Sequence, residues 1–129
     1  MPFSIYVILI VEPDRDVCHD ADQKFTGCGF RTVCVHSEQS AHGALSGIAF
    51  DMLLIGLSPG QPAIPVFLKS VRRMYPRLRI MVGSSYADQI LPSRIADAIL
   101  SIPFTAAQIR PAIERAQQMP IMRNRFSDW

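Results

Sequence analysis

Five short apolar runs, alternating with longer amphipathic stretches, constrain the fold of this chain more than any other feature of its sequence. The runs SIYVILIV and MLLIGL show no alternation of polar and apolar residues, which is typical of strands buried on both faces of a parallel sheet. Strand and helix signals that alternate along a chain predict right-handed crossovers, with helices on both sides of the sheet. The predicted strands are residues 4–11, 30–35, 52–57, 79–83 and 98–101.

The intervening stretches predict about five helices, the fourth of them short or irregular. Ser37 is a predicted N-cap, and Thr105 with Gln108 forms a capping box that opens the last helix. Pro92 leaves the fourth helix at most two turns, and Pro111 is expected to bend the last helix. Apolar side chains that repeat at helical spacing predict the buried faces: Val17, Ala21 and Phe25 in residues 14–26; Ala41, Ala44, Leu45 and Ile48 in residues 38–48; Phe67, Leu68, Val71 and Met74 in residues 64–75; and Ile109, Ala112, Ile113 and Ala116 after the capping box.

The length of 129 residues suits one domain, with a core that needs no disulfide or metal. Hydrophobic residues make up 49% and charged residues 19%, so we expect some apolar surface to remain for a partner. A net charge of +2 is too small to indicate nucleic-acid binding.

We predict a domain over residues 1–118 and a C-terminal tail over residues 119–129. The tail combines two arginines with Phe126 and Trp129; it is interpreted as a disordered terminus, with a docking peptide or a nucleic-acid contact as alternatives.

The cysteines and histidines indicate neither a redox site nor a metal site. The cysteines contain no C-x-x-C pair and are expected to be buried free thiols in a reducing cytosol, and the histidines lack the spacing of metal ligands. The apolar start, residues 3–11, is too short for a membrane span and lacks the features of a secretory signal, so we expect a cytoplasmic protein. The residues concerned are Cys18, Cys28, Cys34, His19, His36 and His42.

Functional residues of such a sheet are expected beyond the carboxyl ends of its strands, where crevices form. The segments in that position are residues 12–14, 56–58, 83–86 and 102–104.

These segments are similar to those of the receiver domain of bacterial two-component response regulators. The similarity lies in VILIVEPD at the first strand, in the Gly29-Phe30 step that closes the first helix, and in FDMLLIGLSPG around the third strand. It continues in IMVGSSY at the fourth strand and ADAILSIPF at the fifth. The resemblance implies a flavodoxin-like (CheY-like) α/β fold, which is a doubly wound, five-stranded parallel sheet with about five helices.

In that family, acidic residues and an acceptor aspartate hold magnesium through oxygen ligands. The metal and a lysine neutralise the phosphoryl oxygens while the aspartate carboxylate forms the covalent bond. A hydroxyl then turns toward the phosphate and an aromatic side chain follows it.

The resemblance assigns each of these roles to a position in this chain, and most positions have lost the required group. The acid pair corresponds to Glu12 and Pro13, and Asp14 is a further candidate for a remnant acidic pocket. The acceptor corresponds to Gly56 and the lysine to Ile102, neither of which supplies the chemistry. The remaining correspondences are the switch hydroxyl with Ser84, which is kept, and the switch aromatic with Ile99.

These replacements predict a pseudo-receiver, which signals by protein–protein interaction without aspartyl phosphorylation, catalysis, a cofactor or bound magnesium. Its expected partner is a histidine kinase, another regulator or a second copy of the chain. The alternative is a flavodoxin-like binder of a small molecule or anion in the emptied crevice, where Gly56, Gly83 and Ser84 would open room. A third possibility is phosphorylation at another residue, such as Asp14 or Ser58.

Overall fold

The structure is a computed structural model that describes residues 6–57, 64–84 and 96–120. Five strands are present, as the apolar runs predict, and a described helix follows each of the first, second, third and fifth strands along the chain. The strands are β1 (Val7–Val11), β2 (Arg31–Val35), β3 (Met52–Ile55), β4 (Arg79–Ser84) and β5 (Ala98–Ser101). The described helices are α1 (Arg15–Gly27), α2 (Glu38–Gly47), α3 (Ile64–Met74) and α4 (Ile109–Gln118), with a 3₁₀ turn at Ala106–Gln108 before α4.

The five strands form one parallel sheet in the order β2-β1-β3-β4-β5. This doubly wound order confirms the predicted fold class. Its topological switch point lies between β1 and β3, where a doubly wound sheet opens a crevice at its carboxyl edge. Val11 pairs with Ile55 of β3 on one side and with Val35 of β2 on the other, so the residues that follow these strands emerge side by side.

Two apolar layers hold the helices against the sheet. Alternate residues of a strand point to opposite faces: Ile8 and Ile10 pack toward α1 and α4, whereas Leu9 packs toward α2 and α3. The strand side chains at the centre of both layers are fully buried. Each such burial stabilises the fold by about 1.5–3 kcal/mol.

Some local predictions were correct. Ser37 is the N-cap of α2, where its side-chain oxygen accepts from the Ser40 N–H. The Thr105 N–H donates to the side-chain oxygen of Gln108 at 2.7 Å, as a capping box requires.

The bend predicted at Pro111 assumed that this proline lies in the interior of the last helix, and the structure places it elsewhere. Because α4 begins at Ile109, Pro111 lies in the first turn. A proline costs little there, since first-turn N–H groups have no intrahelical acceptor.

Two side chains at helical spacing lie outside the core, contrary to the periodicity. Ile48 is 48% exposed and Met74 is 58% exposed. Ile48 follows the end of α2 and adopts an extended conformation, and Met74 is the last residue of α3. The helical period does not determine the direction of the Ile48 side chain, because the helix has ended there. Met74 still belongs to α3, and its exposure departs from the helical period.

The thiols differ in burial, which corrects the prediction that all three are buried. Cys18 is buried, whereas Cys28 and Cys34 are intermediate, and none of them is in a disulfide. Burial is the main cause that raises the pKa of Cys18 and of Cys34, so both are protonated thiols at neutral pH.

A buried ionic cluster, which sequence reasoning did not identify, joins α3, β4 and the segment before β5. The Asp97 carboxylate accepts from the Arg72 guanidinium at 2.7 Å and from the Ile80 N–H at 2.8 Å. Arg79 lies 3.8 Å from the other Asp97 oxygen and donates to the carbonyl of Gln117 at the end of α4. Arg72 and Asp97 are 25 positions apart in the sequence, and Arg79 and Gln117 are 38 apart, so no local sequence pattern predicts these contacts.

The predicted fourth helix, residues 87–95 with Pro92, lies outside the described residues, as do Ser58 and the tail from residue 121. Within the described ranges, no helix is long and apolar enough to cross a membrane.

Candidate functional site

The candidate site lies at the carboxyl edge of the sheet, beside the switch point. Glu12 follows β1 and Gly56 follows β3, and the register of the two strands makes them neighbours. Ser84 ends β4 and pairs with Ser101 of β5, and Ile102 comes next along the chain. The topology therefore brings the predicted positions together at one edge.

The Glu12 side chain is fully buried and turns toward the start of α1. Its Oε2 accepts from the Asp14 N–H at 2.9 Å. The Glu12 backbone is also held, because its N–H donates to the Val35 carbonyl at 2.9 Å and its carbonyl oxygen lies 2.9 Å from His36 Nδ1. Pro13 supplies no second carboxylate at this edge.

Asp14 acts as the N-cap of α1. Its Oδ1 accepts from the N–H groups of Asp16 at 2.9 Å and Val17 at 3.1 Å. A carboxylate in this position satisfies two of the four N–H groups that lack helical acceptors and interacts favourably with the positive helix end. The Asp14 carboxylate is therefore directed to the helix terminus.

Gly56, to which the resemblance assigns the acceptor role, has a φ of +81°. This is the left-handed region, which residues with a Cβ rarely adopt. Gly56 thus differs from an aspartate in two ways, since it lacks the carboxylate and it holds the backbone in a conformation suited to glycine.

The crevice next to Gly56 is filled by apolar side chains. A Cβ atom placed on Gly83 would lie 2.7 Å from Ile102 Cδ1, 2.9 Å from the Gly56 carbonyl oxygen and 3.0 Å from Leu57 Cδ2. Such distances are too short for carbon atoms in contact. The room that the glycines were expected to open at Gly83 is therefore taken by Ile102 and Leu57.

Ile102 and Ile99 face opposite sides of the sheet. Ile102 packs against the layer of α1 and α4, and Ile99 packs against the layer of α2 and α3. The Ile102–Pro103 peptide bond is cis. Ile102, to which the resemblance assigns the lysine role, is thus a hydrocarbon side chain in apolar contact.

Lys24 reaches the loop after β5 from α1, a contact that sequence reasoning missed. Its Nζ donates to the Phe104 carbonyl at 2.9 Å and lies 2.9 Å from the Asp20 carboxylate. The ammonium also lies 4.8 Å from the centre of the Phe104 ring, within the range of a cation–π contact. No sequence motif signals a pair of residues 80 positions apart.

A pocket of about 300 Å³ lies beside the filled crevice. Leu57, Ile102 and Phe104 contribute its apolar part, and Asp16 and Asp20 contribute acidic groups from α1. This combination of an apolar centre and a charged margin is a common arrangement at protein contacts.

The donors at this edge do not fit a magnesium ion. Magnesium requires near-octahedral oxygen coordination at short range, and here Glu12 and Asp14 each direct a carboxylate oxygen to backbone N–H groups. Within residues 6–57, 64–84 and 96–120, no three His, Cys, Asp or Glu side chains are grouped closely enough to hold a metal. The hydroxyls of Ser58 and Ser84 lie outside what the structure describes, so their predicted roles stay predictions.

Comparison with solved structures identifies the fold. A CheY-like response regulator receiver domain from Methylobacillus flagellatus matches with a TM-score of 0.76 and 21% identity, over 88% of this chain and 99% of that one. The chain has the receiver-domain fold. A response regulator from Thermotoga maritima matches this receiver fold with a TM-score of 0.76 and 18% identity, over 90% and 100% of the two chains. The chemotaxis response regulator CheY4 of Vibrio cholerae matches it with a TM-score of 0.74 and 15% identity, over 88% and 99%.

The receiver-domain fold is shown by structure alone. No protein-family model matches the sequence, and no curated protein sequence matches it. At this level of identity, the chemistry of the site must be argued from the residues of this chain.

Proposed function

We propose that this chain is a pseudo-receiver, a non-enzymatic signalling module of the cytoplasm that acts by binding another protein without aspartyl phosphorylation. The observation that carries this proposal is the crevice at the switch point. There Gly56 offers no carboxylate, and Ile102 and Leu57 pack onto Gly83.

Each requirement of phosphoryl transfer to aspartate is unmet by the described groups of this crevice. An acyl phosphate forms only on a carboxylate, and Gly56 has no side chain. Charge on the phosphoryl oxygens must be neutralised by cations placed in advance, and Ile102 carries none. Glu12 remains, but a single carboxylate holds magnesium weakly because the ion keeps most of its water.

The proposed partner is a histidine kinase, another response regulator or a second copy of the chain. The hydrophobic content of 49% and the pocket between Asp16, Ile102 and Phe104 support a contact between proteins. Sedimentation velocity tests the second-copy version, which predicts a species whose size increases with protein concentration. A monomer at all concentrations would contradict that version.

Exposure to a small phosphodonor tests the lack of phosphorylation. We expect that incubation of the full chain with acetyl phosphate and magnesium leaves its intact mass unchanged, because Gly56 supplies no nucleophile. A receiver domain with an intact aspartate, treated in parallel, shows that the donor is active.

An added phosphoryl group on this chain would contradict the proposal. Its loss in Asp14→Asn or Ser58→Ala would then identify the residue that accepts it, and the chain would be a phosphorylated regulator of unusual design.

A second candidate function is the binding of a small apolar ligand in the 300 Å³ pocket, which one observation favours: Leu57, Ile102 and Phe104 present apolar surface there. A ligand that binds only the folded chain raises its melting temperature. If no apolar metabolite in a screen raises the melting temperature, or if Ile102→Ala leaves the increase caused by a binding metabolite unchanged, this candidate fails.

A further inference from the structure

A groove lies at the amino end of the strands, on the edge opposite to the candidate site. It has a volume of about 900 Å³ and is formed by the segment after α2, the segment after α3, and Tyr6 and Gln117. We call it the basal groove. Its size falls within the range of about 300–1,000 Å³ that binding pockets occupy.

The basal groove contains the two apolar side chains that the helical period had placed in the core. Ile48 and Met74 line it and are 48% and 58% exposed, and the rings of Phe50 and Tyr75 beside them are only partly buried. Removing such apolar surface from water is favourable. A segment that covers the apolar side chains of the basal groove would therefore bind with a favourable free energy.

The carboxyl end of α4 lies beside the basal groove. Arg79, which lines it, donates to the carbonyl oxygens of Gln117 at 3.1 Å and Met119 at 2.5 Å. These contacts hold the end of α4 against the groove wall, and Pro120 is the last described residue of the chain. The next nine residues thus start beside the groove, and nine residues reach up to roughly 30 Å when extended.

The composition of those nine residues matches the groove. The sequence IMRNRFSDW contains four large apolar side chains, Ile121, Met122, Phe126 and Trp129, together with charges of both signs. Asp51 and Arg77, which are exposed on the groove lining, can each meet an opposite charge among Arg123, Arg125 and Asp128.

We propose that residues 121–129 dock in the basal groove of their own chain and cover Ile48 and Met74. A tethered segment has an effective concentration in the millimolar range, so this occupant has an advantage over any peptide that arrives from solution. The proposal does not depend on whether the crevice at Gly56 accepts a phosphoryl group.

Tryptophan fluorescence of the full chain tests the proposal directly, because Trp129 is its only tryptophan. We expect blue-shifted emission and weak quenching by acrylamide in the native chain. Met74→Asp and Ile48→Asp should each return the emission and the quenching to the values of the urea-unfolded chain, since a carboxylate in the groove disfavours apolar contact.

Val66→Asp is the matched control. Val66 is 75% exposed on α3 but does not line the basal groove, so its change should leave Trp129 emission as in the native chain. Circular dichroism of each variant verifies that the fold is kept.

Three outcomes would overturn the proposal. The first is native Trp129 emission equal to that of the synthetic peptide 121–129 in buffer. The second is native-like emission in folded Met74→Asp and Ile48→Asp chains. The third is shielding of Trp129 that is lost on dilution, which would place the tail in the groove of a second copy.

Discussion

Gly56 differs from a residue with a carboxylate in its backbone conformation as well as in its lack of a side chain. With φ at +81°, the position lies where a Cβ is strained, and the neighbouring Gly83 has no room for a Cβ at all. The backbone at Gly56 and the packing of Ile102 and Leu57 belong to one arrangement, because the Gly56 carbonyl oxygen and both side chains lie against Gly83. An aspartate at position 56 would have to adopt this left-handed conformation or shift the backbone.

Substitutions at Gly56 test this interpretation. Gly56→Asn should lower the free energy of unfolding by no more than about 1 kcal/mol, because asparagine adopts the left-handed region more readily than most residues with a side chain. Gly56→Asp, of matched shape, should lower it further because its carboxylate lies beside the buried Glu12. Urea denaturation measures both values. Stability that magnesium restores to Gly56→Asp but not to Gly56→Asn would reveal a metal site and contradict our account.

At the scale of single elements, helix termini account for residues that a motif search assigns to a site. Asp14 lies in a segment that resembles an acidic pocket, yet its carboxylate accepts from the N–H groups of Asp16 and Val17. Ile48 follows the carboxyl end of α2 and Met74 is the last residue of α3, and both are exposed. For Asp14 and Ile48, the end of the helix and not its period determines where the side chain goes.

The capping role of Asp14 is testable by substitution. Asp14→Ala should cost about 0.5–2 kcal/mol of stability, whereas Asp14→Asn should retain most of it, because asparagine caps a helix nearly as well. Thermal unfolding at neutral pH compares the two variants. Equal losses in both would show that the charge of Asp14 has a role beyond the cap.

At the scale of the whole molecule, one buried cluster ties together elements that are distant in the sequence. Asp97 bonds to Arg72 of α3 and to the backbone of β4, and Arg79 extends the cluster to the end of α4. The cluster therefore links the α3 side of the sheet with the segment from which the tail departs. A buried carboxylate is tolerated here because cations and an N–H group surround it.

Removal of the Asp97 charge should destabilise the whole domain. We expect Asp97→Asn to cost about 3–5 kcal/mol, since it leaves the buried Arg72 guanidinium without its carboxylate. Glu114→Gln, at an exposed position of α4, is the control and should change stability by less than about 0.5 kcal/mol. If the two variants unfold at the same urea concentration, the cluster does not stabilise the fold.

Periodicity was enough to predict the strands, the helices and the parallel sheet, because hydrophobic spacing is a local property. The loss of acceptor chemistry at Gly56 and Ile102 stays a prediction, which rests on the identity of those two residues. Only the tertiary structure decided that Asp14 caps α1, that Ile102 fills the space over Gly83, and that Asp97 is buried against Arg72. The same is true of Ile48 and Met74, which line a groove beside the end of α4. Each of these outcomes depends on atoms brought together across long stretches of chain, and local spacing carries no information about such contacts.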